Sequence, residues 1–146
     1  MDWTLELVVV PVSDIDRAKS FYVDRAGFAE LVDVKVGEET RVVQLTPRGS
    51  ACAIALMDRT PMKPGSIYGL HVVVPDIEAA RSELVGRGVE VSDLFHFDET
   101  GQRPGPDPQR RNYGTFASFS DPDGNLWLVQ EVDRTRTADA GDASVA

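Results

Sequence analysis

Val8–Phe28 reads VVVPVSDIDRAKSFYVDRAGF, and a kindred stretch, HVVVPDIEAARSELVGRGV, returns at His71–Val89. With Asp14 set over Asp76 the copies agree in kind: an apolar run, an acid, Ile, then Ala three residues on. Both close on a glycine, Gly27 and Gly88, and the second copy is one residue shorter on the way. A repeat of this kind decides the architecture, because each copy must fold as the same small unit.

Each copy reads as strand, tight turn, helix. Val8–Val10 and Val72–Val74 are β-branched runs suited to a buried strand. Pro11 and Pro75 cannot donate to a central ladder and mark the strand ends. Ser13 or Asp14, and Asp76, suit the helix N-cap, where a short side-chain oxygen accepts a free backbone N–H. Ile15, Ala18 and Tyr22 stand at i, i+3, i+7, as do Ile77, Ala80 and Leu84, giving each helix one apolar stripe. Gly27 and Gly88 supply left-handed stops.

Around these copies the chain reads as strands over residues 3–12, 29–35, 41–46 and 51–57, then a Pro- and Gly-bearing linker over 58–66. The second half reads as a strand over 68–74, a helix over 77–87, and strands over 89–97, 113–119 and 126–132. A polar loop spans 98–112 and a strong turn, Asp121-Pro122-Asp123-Gly124, precedes the last strand. The expected class is α+β: two βαβββ modules, residues 1–60 and 67–133, in one domain. A curled mixed sheet would enclose a cavity, with the helices outside. Residues 134–146 are small and polar and are expected to be disordered.

The 146 residues suffice for a real core, and no apolar run approaches the length of a membrane span. Met1-Asp2-Trp3 lacks the basic start of a signal peptide, so the expected setting is the cytosol. Cys52 is alone and lies in ACAIALM, which reads as a buried strand. A net charge of -9 argues against nucleic acid or an anionic membrane as partner.

The segments VSDIDRAKSFYVDRAGF, DIEAARSELVGRGVEV and SDPDGNLWLVQEV together resemble the vicinal oxygen chelate superfamily. That group includes glyoxalase I, extradiol dioxygenases and the fosfomycin and bleomycin resistance proteins. The resemblance covers roughly residues 4 to 132 and implies the paired-module fold, a small-molecule ligand and a homodimer. Metal-using members carry His or Glu at four places on the inner strands. Here those places hold Leu7, Gly69, Leu128 and, for the fourth, a position near Ala53. None offers a lone pair to a divalent ion, so no metal and no cofactor is expected in the family's usual form.

Strand parity puts His71 on the face of Gly69, and Gln130 on that of Leu128. The expected cavity therefore has an apolar floor with Leu7 and Leu128, two polar points at His71 and Gln130, and Gln44, Phe97 and Tyr113 about its rim. His71 is the candidate for hydrogen bonding or general-base work. Three readings follow: metal-free binding of a small organic molecule, a metal-independent lyase or isomerase using His71, or a displaced metal site built from His71, His96 and a carboxylate. Arg103, Arg110 and Arg111 in the polar loop raise the idea of a lid that meets an anion. Asp121-x-Asp123-x-Asn125 opens like a calcium loop but lacks the later ligands and reads as a hairpin turn.

Overall fold

The computed structural model describes residues 1–135, so all but two residues of the expected C-terminal tail lie outside the described residues. The chain divides into two compact units, residues 1–68 with 120–126, and residues 69–119 with the segment from 127 on. The class is α+β, with two mixed sheets and two helices.

In the first unit, β1 (Leu7–Pro11), β2 (Ala29–Val36), β3 (Thr40–Thr46) and β4 (Ala53–Met57) form a sheet in the order β1-β4-β3-β2. β1 runs parallel to β4, and β3 antiparallel to both its neighbours. The helix α1 (Ile15–Ser20) is capped by Asp14, whose side chain accepts from the Arg17 N–H at 3.1 Å. It runs into one π-helical turn, Phe21–Arg25. That turn absorbs the extra residue of the first copy: a wider turn takes one more residue without shifting what precedes or follows it. Gly27 and Gly88 then end both copies with φ of 80° and 88°. The predicted stripe Ile15, Ala18, Tyr22 is buried throughout.

β4 sets the two faces of the sheet apart by side-chain size. It alternates Ala53, Ile54, Ala55, Leu56. Leu7 pairs with Ala53, Val9 and Gln44 with Ala55, so small side chains occupy the middle of one face. Ile54 and Leu56 share the other face with Val10, Val43 and Leu45, all buried.

In the second unit, β5 (Tyr68–Val74), β6 (Phe95–Asp98), β7 (Gly101–Pro104), β8 (Phe116–Ser120) and β9 (Leu126–Glu131) order as β5-β9-β8-β6-β7. The helix α2 (Ile77–Gly86) is capped by Asp76, which accepts from the Ala79 N–H at 3.0 Å. Ile77 is buried, while Ala80 and Leu84 are half-buried. Trp127 is buried and stacks on Phe119, centroids 6.0 Å apart.

Several expected boundaries move, each for a local reason. Strand one begins at Leu7 rather than Trp3, because β4 starts at Ala53, whose N–H takes the Glu6 carbonyl, and residues 3–5 have no ladder partner among the described residues; Trp3 and Leu5 are exposed. The strand expected over 89–97 shrinks to β6. Its early carbonyls, Val91 and Ser92, accept from the Arg81 guanidinium, and Ser92 Oγ takes the Ser118 N–H. The polar loop contains β7, which pairs with β6 in a hairpin. Cys52 is half-buried and precedes β4 rather than lying inside it.

A buried knot fixes the strand ends. Asp121 Oδ1 accepts the N–H groups of Asp123, Gly124 and Asn125, while Oδ2 accepts from the Tyr22 hydroxyl and Asn125 Nδ2. Asn125, wholly buried, also donates to the Pro11 carbonyl at 2.9 Å and accepts from the Ile67 N–H at 3.1 Å. These contacts bear out the hairpin-turn reading of Asp121-x-Asp123-x-Asn125. Among the described residues no helix is long and apolar enough to cross a membrane.

Asn125→Ala strands a buried N–H and a buried carbonyl, so it should lower the unfolding free energy by about 2–4 kcal/mol in a urea titration. Tyr22→Phe, which removes one of five donors to Asp121, should cost about 1 kcal/mol.

Candidate functional site

β5 carries Gly69 and His71, and β9 carries Leu128 and Gln130. His71 Nδ1 lies 2.7 Å from Gln130 Oε1. With the amide oxygen facing the ring, Nδ1 carries the proton and Nε2 keeps its lone pair. Gln130 is 2% exposed, and its Nε2 has no hydrogen-bond partner among the described residues. A buried amide nitrogen left unpaired is costly, which makes this pair the conspicuous polar feature of the strand. The two residues expected as polar points of a cavity floor are thus in hydrogen-bond contact with each other.

The second unit carries a hollow of about 730 Å³. β6 and its turn supply His96, Phe97, Asp98 and Glu99; β8 supplies Phe116; the loop between supplies Asp107, Arg111, Tyr113 and Gly114, among others. Phe97 and Tyr113, both expected at a rim, therefore meet in one hollow. Phe95 stacks on Phe116 with centroids 5.5 Å apart, and Phe97 stands edge-on to both. Phe97 remains 46% exposed, so an aromatic ring is left open to a ligand. His96 Nδ1 lies 2.8 Å from the Gly105 carbonyl, which can only accept, so Nδ1 donates.

The loop that closes the hollow is built around Asp107, 1% exposed. Its oxygens accept from the backbone of Gln109 and Arg111 and from the Arg111 guanidinium. Burial pushes the Asp107 carboxyl up, but the hydrogen bonds from Arg111 and Gln109 outweigh it and hold the group below its usual range. A Cβ at Gly114 would stand 2.5 Å from the Asp107 carboxylate, so only glycine fits there. Arg110 and Tyr113 take φ of 49° and 65°, strained for side-chain-bearing residues. Arg110 is held by a forked pair to Glu131 and a bond to Glu78; Tyr113 is held by its N–H to the Glu131 carbonyl.

The loop arginines do not form an anion trap. Arg103 pairs with Asp98, Arg110 with Glu131 and Glu78, and Arg111 with Asp107. Leu7 and Gln44 lie in the first unit, on the face of Ala53 and Ala55, flanking β4.

Of the four places where metal-using relatives carry ligands, Leu7 and Ala53 are cross-strand partners, as a shared site requires. Gly69 has a φ of 87°, and a Cβ there would meet the His71 ring at 3.8 Å. These residues do not fit a metal. Among the described residues no three His, Cys, Asp or Glu side chains converge as metal ligands, and that includes His71 and His96. Glu99, Asp107 and Gly114 were not singled out from the sequence, and Arg111 was singled out only as part of a lid. Asp98-Glu99-Thr100-Gly101 carried the signal of a hairpin turn, with Asp98 accepting from the Thr100 N–H.

Residues 4–129 match the family described as Glyoxalase/Bleomycin resistance protein/Dioxygenase superfamily. The structure is similar to that of TnmS3, an antibiotic binding protein from Streptomyces sp. CB03234. The two are 35% identical with a TM-score of 0.70, over 89% of this chain and 96% of that one. A member of the same superfamily from Sphaerobacter thermophilus DSM 20745 is 28% identical, with a TM-score of 0.67 over 90% and 98% of the two chains. In sequence the chain is 26% identical to the uncharacterized protein YetH of Bacillus subtilis (strain 168), over 85% of this chain and 94% of that protein.

Because the folded-state value of Asp107 is depressed, its contribution is present above the ordinary carboxylate pKa of about 3.9 and is lost as pH falls through the folded value. Amide exchange in residues 105–115 should therefore accelerate selectively on acidification below about pH 4. Asp107→Asn should reproduce that loosening at neutral pH, at a cost of about 1–3 kcal/mol.

Proposed function

This chain belongs to the Glyoxalase/Bleomycin resistance protein/Dioxygenase superfamily, and from that premise we propose that it binds a small organic molecule without a metal ion. The observation that carries this reading is the set Leu7, Ala53, Gly69 and Leu128 at the positions where metal-using relatives hold their ion. The open aromatic wall of the hollow supports it: exposed Phe97 backed by Phe95 and Phe116 is the kind of surface that holds a flat apolar body. The likeness to an antibiotic binding protein supports it too. The ligand site in this reading draws on His71, Gln130, Leu128, Phe97 and Tyr113 of the second unit.

A second reading, a metal-independent lyase or isomerase, draws on one observation. His71 offers an unprotonated Nε2 while Gln130 fixes the opposite nitrogen, the arrangement a general base needs. The protein acts in the cytosol in either reading.

We also propose a homodimer. Trp3, Leu5 and Tyr68 are large apolar side chains standing in solvent, Trp3 at 90% exposure, and residues 3–5 lie ahead of β1, outside any strand. A second copy would cover them.

Titration of metal-free bleomycin and other aromatic antibiotics by calorimetry should give binding that EDTA leaves unchanged, with under about 0.1 equivalent of any divalent ion per chain by elemental analysis. A stoichiometric ion whose removal abolishes binding would overturn the reading. His71→Ala separates the two activities: loss of turnover with affinity changed less than about fivefold marks a base, and loss of affinity alone marks a hydrogen-bonding role. Sedimentation equilibrium should give twice the 16.0 kDa chain mass, and Trp3→Glu with Leu5→Glu should shift it toward monomer.

A further inference from the structure

The hollow of the second unit has an unmet chemistry of one sign. Four charged side chains line it: Asp98, Glu99, Asp107 and Arg111. Asp107 and Arg111 neutralise each other, and Asp98 is paired with Arg103. Glu99 has no partner among the described residues, so the uncompensated charge at the wall is negative.

His96 adds an acceptor. Its Nδ1–H is committed to the Gly105 carbonyl, which leaves the neutral ring a lone pair on Nε2, also unpartnered among the described residues. Phe97 adds an open ring whose faces carry partial negative charge. A carboxylate, a ring nitrogen and an aromatic face all seek a positive, hydrogen-donating group. The apolar stack of Phe95, Phe97 and Phe116 behind them seeks a flat hydrocarbon body.

Resting on the metal-free binding reading, we propose that the ligand of this hollow is an aromatic organic cation, its ring system against Phe97 and its charged N–H group toward Glu99 and His96 Nε2. Paired arginines exclude the opposite preference, because no unneutralised cation lines the wall to receive an anion.

The test uses the full-length protein in EDTA and two fluorescent probes of similar size, cationic 9-aminoacridine and anionic 8-anilino-1-naphthalenesulfonate. The cation should bind at least about fivefold more tightly than the anion. Phe97→Ala should weaken it about tenfold and Glu99→Gln about threefold, and His96→Phe, which keeps a flat ring but no nitrogen, about fivefold. Glu90→Gln removes an equal charge outside the hollow and should leave the affinity unchanged. Glu99 is exposed, so its variant should keep the parent melting temperature and isolate the charge effect.

If the anion binds as tightly as the cation and Phe97→Ala still abolishes binding, the cation inference falls while metal-free binding in the hollow stands. If Glu90→Gln weakens the cation as much as Glu99→Gln does, the preference is the chain's overall charge, and the inference falls. If neither probe binds, or binding ignores Phe97→Ala, the inference falls and the choice of this hollow falls with it.

Discussion

The Asp121 carboxylate, buried and accepting five hydrogen bonds, fixes the turn from which the last strand of the second sheet sets out. Its partner Asn125 takes the Ile67 N–H, and the next residue, Leu126, donates to the Ile67 carbonyl at 2.9 Å. Ile67 and Leu126 are 59 positions apart, from 126 minus 67; His71 and Gln130 are also 59 apart. Val132 donates to Val74 near the far end, 58 positions apart, from 132 minus 74. The strands therefore run in the same direction, and the offset changes by one residue between the two ends, along the stretch that holds Gly69 with its φ of 87°. Because side chains alternate, such a shift decides which face His71 presents.

The repeat was legible because it rests on local chemistry. Capping aspartates, β-branched runs and closing glycines all act within a few residues, so strand, turn and helix of each copy fell where the sequence placed them. The one-residue difference between the copies was visible too, but its solution, a π-helical turn at Phe21–Arg25, was not; that depends on both glycines having to end their helices alike. The misplaced strands share another cause. At 3–5 the ladder lacks a partner among the described residues, and at 89–94 Arg81 and Ser92 divert backbone groups, so pairing rather than propensity decides. Of the candidate site, single-strand parity put His71 on the face of Gly69 and Gln130 on that of Leu128, but not the contact between the two. The Asp107 loop needs a carboxylate, an arginine and a glycine brought together in space, which spacing alone does not reveal.

That loop accounts for how a strained backbone persists beside an open hollow. Two left-handed residues, Arg110 and Tyr113, each cost roughly 1–2 kcal/mol. Against this stand the forked Arg110–Glu131 pair, the four contacts from residues 109 and 111 to Asp107, and the reciprocal bonds between Asn112 and Asp133. Glu131 also caps α2 through the Ile77 N–H, so one carboxylate serves the loop and the helix start together. The arginines that a sequence reader would assign to an anionic ligand are consumed in this work. What they leave at the wall is an aromatic surface and acceptors.

Gly69 carries the argument about metal chemistry furthest. Were the ligand positions merely substituted, a single change back to histidine would restore a donor on a suitable strand. The backbone at Gly69 instead takes a φ of 87°, a conformation that L side chains rarely adopt, and the space a Cβ would enter lies 3.8 Å from the His71 ring. A histidine at 69 would thus meet backbone strain before it met an ion. His71, two residues on and tied to Gln130, is the polar group this strand presents in its place. Backbone conformation as well as side chain at position 69 therefore weighs against a histidine ligand there, in keeping with a site that works by shape, ring contacts and hydrogen bonds.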